Sequence, residues 1–188
     1  MKPGFFYVAE RREPSVAFQS IIAALKDIGA SLEYPGTGRI THLAYDGDQL
    51  ETTEADLIVL ATLPELVPQF WLEPGVDLAC NFRRVDVYTV RHSYSVDGLD
   101  KNQREQLEAW SMSYFRRAAE AGTAVLLVVD PTGETEDIDW DAVAVEAAPV
   151  PRTMPKVLGL AVERLSGLSL DMRVRQELLG ELALLTRP

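Results

Sequence analysis

The chain holds one cysteine and two histidines, Cys80, His42 and His92. These are its candidates for nucleophilic or metal-ligating chemistry. Alternate residues of a strand share a face, so Tyr88, His92 and Tyr94 could together line a small-molecule pocket. With Cys80 nearby, a Cys–His nucleophile pair would be conceivable. The plainer reading is a small buried thiol and a hydrogen-bonded imidazole, and that is the expectation. His42 and His92 fall in different predicted strands, so neither an HExxH motif nor a Cys/His zinc spacing is present. We expect no metal site and no catalytic residues.

The carboxylates offer a second set of chemistries. Asp130-Pro131-Thr132-Gly133-Glu134 follows an apolar run, where a nucleophilic or metal-binding aspartate could stand. A phosphotransferase of the haloacid dehalogenase type would carry a second aspartate at position 132, and Thr132 stands there. Proline and glycine at this spacing read as a β-turn. A calcium loop begun at Asp130 would need glycine at its sixth position, which is Thr135. Ala55–Thr62 is similar to a strand of many nicotinamide-dependent dehydrogenases. That fold also needs a glycine-rich turn after its first strand. Here Glu10-Arg11-Arg12-Glu13-Pro14 follows instead, so no cofactor is expected. Arg83, Arg84 and Arg91, with Arg11 and Arg12, could grip an anion in bidentate fashion. Such residues more often answer neighbouring carboxylates.

Charge is the most informative property. The net charge is −11, from 18 basic and 29 acidic residues. Residues 40–82 contain no Lys or Arg but eight carboxylates, Asp46, Asp48, Glu51, Glu54, Asp56, Glu65, Glu73 and Asp77. Residues 118–151 repeat the pattern with Glu120, Asp130, Glu134, Glu136, Asp137, Asp139, Asp141 and Glu146. The rest of the chain runs slightly basic. Segregated charge of this kind sets a strong local field that selects partners. It disfavours nucleic acid, whose binders need a basic footprint. Trp140 stands among Asp137, Asp139 and Asp141. An aromatic inside an acidic rim has the composition of a hot spot for a cationic surface, though one tryptophan anchoring a loop would look the same.

These residues need elements to place them. At 47% apolar and 25% charged, the chain has a globular composition. One cysteine allows no intrachain disulfide. The apolar run Phe5–Ala9 is too short for a signal-peptide core, and no window approaches the ~20 apolar residues of a membrane span. A cytoplasmic protein is expected. Gly4–Glu10 reads as a strand, and a helix opens at Pro14 and stops at Gly29. A turn follows at 34–38, then a strand over Arg39–Tyr45. The continuous apolar run Leu57–Ala61 suggests a buried strand. A hairpin is expected across Glu73-Pro74-Gly75, then a strand over Val85–Val96. The apolar phase shifts between Phe82 and Val85, which requires a turn or bulge. Asp100 caps a helix over Lys101–Ala121, and an inner strand spans Thr123–Asp130. Ala147–Pro151 reads as a linker. Beyond it Thr153 and Ser169 are expected to cap two helices, the first ending at Gly167 and the second bearing Val174, Leu178, Leu182 and Leu185.

The expected fold is therefore α+β: a mostly antiparallel sheet over residues 1–148 with helices on one face, and a helical hairpin over 152–188 packed on the same domain. The expected function is a non-catalytic acidic module that binds a basic protein partner. A bacterial immunity protein neutralising a cationic toxin is a concrete case. Asp130, Glu134, Glu136, Asp137, Asp139, Trp140 and Asp141 would make the contact surface, and Asp46–Asp56 could extend it. The alternative is a small-molecule-binding domain or enzyme with its pocket at Tyr88, His92 and Tyr94.

Overall fold

The computed structural model describes residues 4–146, 148–151, 153–168 and 173–187. Strand β1 (Phe5–Arg11) is buried from Phe6 to Glu10. Helix α1 (Pro14–Leu25) begins where the Val16 amide donates to Glu13. Proline is tolerated there because its missing N–H would have had no helical partner. A 3-10 turn, Lys26–Ile28, extends the helix to Gly29, whose φ of 79° ends it. Strands β2 (Ile40–Leu43) and β3 (Gln49–Thr52) pair around Asp46-Gly47-Asp48. Helix α2 (Glu54–Leu60) follows. Strands β4 (Glu65–Glu73) and β5 (Val76–Arg84) form the expected hairpin at Pro74-Gly75. A turn at residues 85–88 leads to β6 (Thr89–Ser95) and accounts for the phase shift after Phe82.

Helix α3 (Lys101–Glu120) carries the expected cap at Asp100, and Gln103 reciprocates it. The Gln103 amide donates to Asp100 Oδ1, and the Asp100 amide donates to Gln103 Oε1, each at 2.9 Å. Both bonds satisfy N–H groups that no helical carbonyl reaches. Then come β7 (Ala124–Asp130), the short helix α4 (Trp140–Val145), β8 (Val157–Ala161), a 3-10 turn (Val162–Gly167), β9 (Arg175–Leu179) and β10 (Leu182–Thr186).

The ten strands make one sheet in the order β3-β2-β4-β5-β6-β1-β7-β8-β10-β9. Every pairing is antiparallel. Side chains alternate between two cores. Phe6, Val8, Phe82, Leu127 and Val129 face α1, α2 and α3. Tyr7, Ala9, Leu126, Val128, Leu158 and Leu160 face the opposite way, against Trp140 and Val143 of α4. Helices therefore cover both faces rather than the one expected.

The expected C-terminal helical hairpin is replaced by strands. Val157 joins the first core while Leu158 and Leu160 join the second, a period of two rather than 3.6. β10 lies between β8 and β9, and its side chains are covered on both faces, Leu184 in the first core and Ala183 and Leu185 in the second. Such a run has no polar side, and periodicity cannot tell strand from helix there. Gly180 was the available signal: at φ 64° it makes the first of two loop residues between β9 and β10, the position a tight hairpin reserves for glycine. Ser169 lies outside the described residues. The expected linker is irregular at 148–151, and β8 pairs with β7, so the C-terminal segment extends the same sheet.

The expected strand over Leu57–Ala61 is helix α2. Thr53 caps it by accepting from the Asp56 amide, and Glu54 and Asp56 occupy its first turn. Acids there favour the positive end of the helix dipole. The cap outweighed the apolar run.

Gly159 shows how closely α3 sits on the sheet. A Cβ there would lie 2.5 Å from Phe115 Cε1 and 3.0 Å from Leu127 Cβ. Gly159→Ala should therefore cost about 1–3 kcal/mol through overpacking, read from the urea midpoint. An unchanged midpoint would show that Phe115 can give way.

Candidate functional site

α1, α2 and α3 cover one sheet face, whereas α4 and its loop cover only part of the other. What remains open is a trough of about 450 Å³. Its floor includes Val67 of β4, Ala79 and Asn81 of β5, and Arg91 and Ser93 of β6. Its wall is the segment Glu136–Asp141 apart from Asp137.

Asp141 holds that wall in place. Arg83 and Arg91 stand directly opposite each other on β5 and β6, and like charges so placed repel. Asp141 lies between them, 3.1 Å from Arg91 Nε and 3.9 Å from Arg83 Nη1. The Tyr7 hydroxyl donates to Asp141 Oδ1 at 2.9 Å. Arg91 also donates to Ser93 Oγ at 2.9 Å, and its guanidinium carbon lies 5.8 Å from the centre of the Tyr7 ring. Burial, then the Asp141 charge, push the Tyr7 hydroxyl well above its ordinary pKa, so it stays a donor. The two arginines thus answer a carboxylate, and an anionic ligand would have to displace Asp141.

The loop leading to Asp141 is tied from below. Asp130 is 1% exposed and accepts from the Thr135 amide at 2.6 Å, Thr135 Oγ1 at 2.7 Å and Thr132 Oγ1 at 3.0 Å. Burial alone would raise its pKa, but these bonds outweigh it and hold the carboxyl below the usual range. Trp140 is 5% exposed, and its indole N–H donates to the Thr135 carbonyl at 3.3 Å. Asp130 and Trp140 are therefore internal supports. Glu134, Glu136, Asp137 and Asp139 are exposed, and Asp141 is half-buried. Glu134 reaches Arg187 at 3.4 Å. Asp139 caps α4 by accepting from the Ala142 amide.

The Asp46–Asp56 stretch does not join the wall at Asp141. Asp46–Asp56 borders the β3 edge, four strands from β6, about 19 Å at the usual spacing. Asp141 is bonded to β6 and β1 instead.

The Tyr88, His92 and Tyr94 row is divided. Tyr88 is 75% exposed in the β5–β6 turn, while His92 and Tyr94 are buried beneath α3. His92 Nδ1 lies 3.0 Å from the Tyr94 hydroxyl, and Nε2 has no hydrogen-bond partner. Its ring packs edge-on against Tyr94, Trp110 and Tyr114. Cys80 faces Tyr94 across the strands. Burial pushes the thiol up to about 12, far from the thiolate that nucleophilic chemistry needs. Next along, the Tyr114 hydroxyl donates to buried Glu10 at 2.6 Å, with Arg12 at 3.5 Å. Burial still raises the Glu10 pKa against these bonds. Sequence reasoning missed Glu10 and Tyr114 as partners because 104 positions separate them.

Among the described residues, no group of three or more His, Cys, Asp or Glu side chains could hold a metal ion, and no helix is long and apolar enough to cross a membrane. No family model matches the chain, and neither the curated proteins nor the solved structures contain a significant match.

Buried His92 makes stability depend on pH. Burial, reinforced by the Arg91 charge, lowers its pKa from 6.5 to about 3. Between those values the unfolded chain binds the proton and the fold does not, so stability falls as pH drops through that window. Glu10, raised by burial, contributes a slope of opposite sign above its ordinary value of 4.5. His92→Phe should leave that slope in place. Urea midpoints between pH 6.5 and 3 should therefore drop more steeply for the wild type than for His92→Phe; parallel curves would mean that the folded imidazole takes up its proton normally.

Proposed function

We propose that this chain is a non-catalytic acidic module that holds a basic surface of a protein partner against the wall of the trough. A toxin-neutralising immunity protein is one concrete form of this activity. The observation that carries the reading is the fixed acidic wall beside an open sheet face. Glu136 and Asp139 project from a loop that Asp130, Trp140 and Asp141 have already immobilised. A rigid contact surface loses little entropy on binding. Glu136 has no side-chain partner among the described residues, and Asp139 bonds only to its own helix. Both carboxylates keep their charge for a cation. Arg91 supplies the counter-charge in the trough, and Asp141 already engages it.

Opposite charge of this kind acts mainly on association rate and falls with ionic strength. The test uses the product of a neighbouring gene, if basic, as the titrant. Glu136→Gln with Asp139→Asn removes two charges, and asparagine caps a helix as well as aspartate does. Association should slow by about tenfold at low salt. The wild type should lose the same advantage as salt rises from ~50 to ~300 mM. Salt-independent binding, or a double variant that associates at the wild-type rate, would remove the proposal.

A further inference from the structure

We infer that the corner formed by β2, β3 and α2 is a separate docking surface for a basic amphipathic helix of a protein partner. The argument begins with an apolar run that is not buried. Of Leu57-Ile58-Val59-Leu60 in α2, only Leu57 is fully enclosed. Val59 is 68% exposed, and Leu63, one turn further on, is 49% exposed. Tyr45, in the β2–β3 turn, is fully exposed. A groove of about 520 Å³ is lined by Tyr45 and Leu63, with Leu43, Leu60, Leu66 and Val67 among others, and Val59 lies one turn before Leu63. Contiguous exposed apolar surface with a polar rim marks an interaction site.

The rim fixes the chemistry of the occupant. No Lys or Arg occurs anywhere in residues 40–82. Asp46 accepts from the Asp48 amide, Asp56 from Thr53, and Glu65 from Asn81. These are neutral donors, so the three charges persist. Glu51 alone in this corner has a guanidinium, Arg39 at 3.5 Å, among the described residues. An apolar groove inside a carboxylate rim fits a helix with leucine-like residues on one stripe and lysine or arginine beside it. A second copy of the chain docking symmetrically would bring matching carboxylates together. An anionic membrane would be repelled by the same rim.

This surface does not depend on the acidic wall at Glu136 and Asp139. The groove meets the trough at Val67, and Glu65 on its rim accepts from Asn81 of the trough floor, but Asp46, Glu51 and Asp56 lie on the β3 and α2 side, away from Glu136 and Asp139. The two proposals can therefore fail separately.

The probe is a fluorescent Lys/Leu peptide with helical amphipathic spacing. A scrambled peptide of identical composition, lacking an apolar stripe, is the control. The chain should bind the amphipathic peptide at least about tenfold more tightly than the scrambled one. Val59→Ser with Leu63→Ser should abolish that preference while leaving the urea midpoint unchanged, because both side chains are exposed. The Glu136→Gln, Asp139→Asn variant should bind the peptide like the wild type. Equal binding of both peptides, or a serine variant that retains the preference, would overturn the inference. So would a wild-type dimer in sedimentation that the serine variant loses. A peptide preference that depended on Glu136 and Asp139 alone would overturn it too, and would leave the trough as the binding surface.

Discussion

A ten-stranded sheet has two faces to cover, and the helices among the described residues do not cover both. α1, α2 and α3 enclose one face. On the other, α4 and the C-terminal segment cover β1, β7, β8 and β10. Among the described residues, no helix covers β4, β5 and β6 on that face. Those strands resolve the deficit in their sequences: their open-face residues are Val67, Ala79, Asn81, Ser93 and Arg91, small or polar apart from Val67. The trough is thus a consequence of coverage. Its floor needs no cover, and its wall is simply where cover ends.

The wall depends on a charge arrangement that only makes sense in three dimensions. Arg83 and Arg91 face each other across a strand pair. Asp141 relieves their repulsion, and in return they hold the start of α4 against the sheet. Arg91 and Asp141 are largely shielded, with side chains 14% and 26% exposed, so their attraction is screened less than that of a surface pair. The same bonds that stabilise the fold therefore fix the acidic rim. Beneath the opposite face, the buried row from Cys80 through Tyr94 to His92 serves packing. Burial holds its thiol protonated and its imidazole neutral, so it carries neither a thiolate nor an imidazolium.

The acidic segments are put to different uses. In 118–151 two carboxylates, Asp130 and Asp141, hold the loop, and of the exposed ones Glu136 and Asp139 line the trough. In 40–82 Glu65 lines a groove of exposed apolar side chains that the core does not claim, while Glu73 and Asp77 bond to Gln103 and Gln69. Charge and hydrophobicity are thus combined at the β3 edge and separated at the trough.

Local signals in the sequence determined much of the scaffold. The Asp100–Gln103 cap, the stop at Gly29 and the Pro74-Gly75 hairpin act over a few residues, and each is legible wherever it occurs. The apolar runs that mark β1 as a strand and β7 as an inner strand were legible too, as was the absence of Lys and Arg from two segments. Residues 157–186 could not be assigned in this way. A strand covered on both faces and a buried helix carry the same apolar letters, and pairing with β7 decides between them. The roles of Trp140 and Asp130 were likewise undecided, because burial is a property of neighbours distant in the chain. Sequence fixed which residues are charged; only the tertiary structure, by setting Arg91, Tyr7 and Asp141 side by side, decided which charges hold the fold together and which are left facing outward.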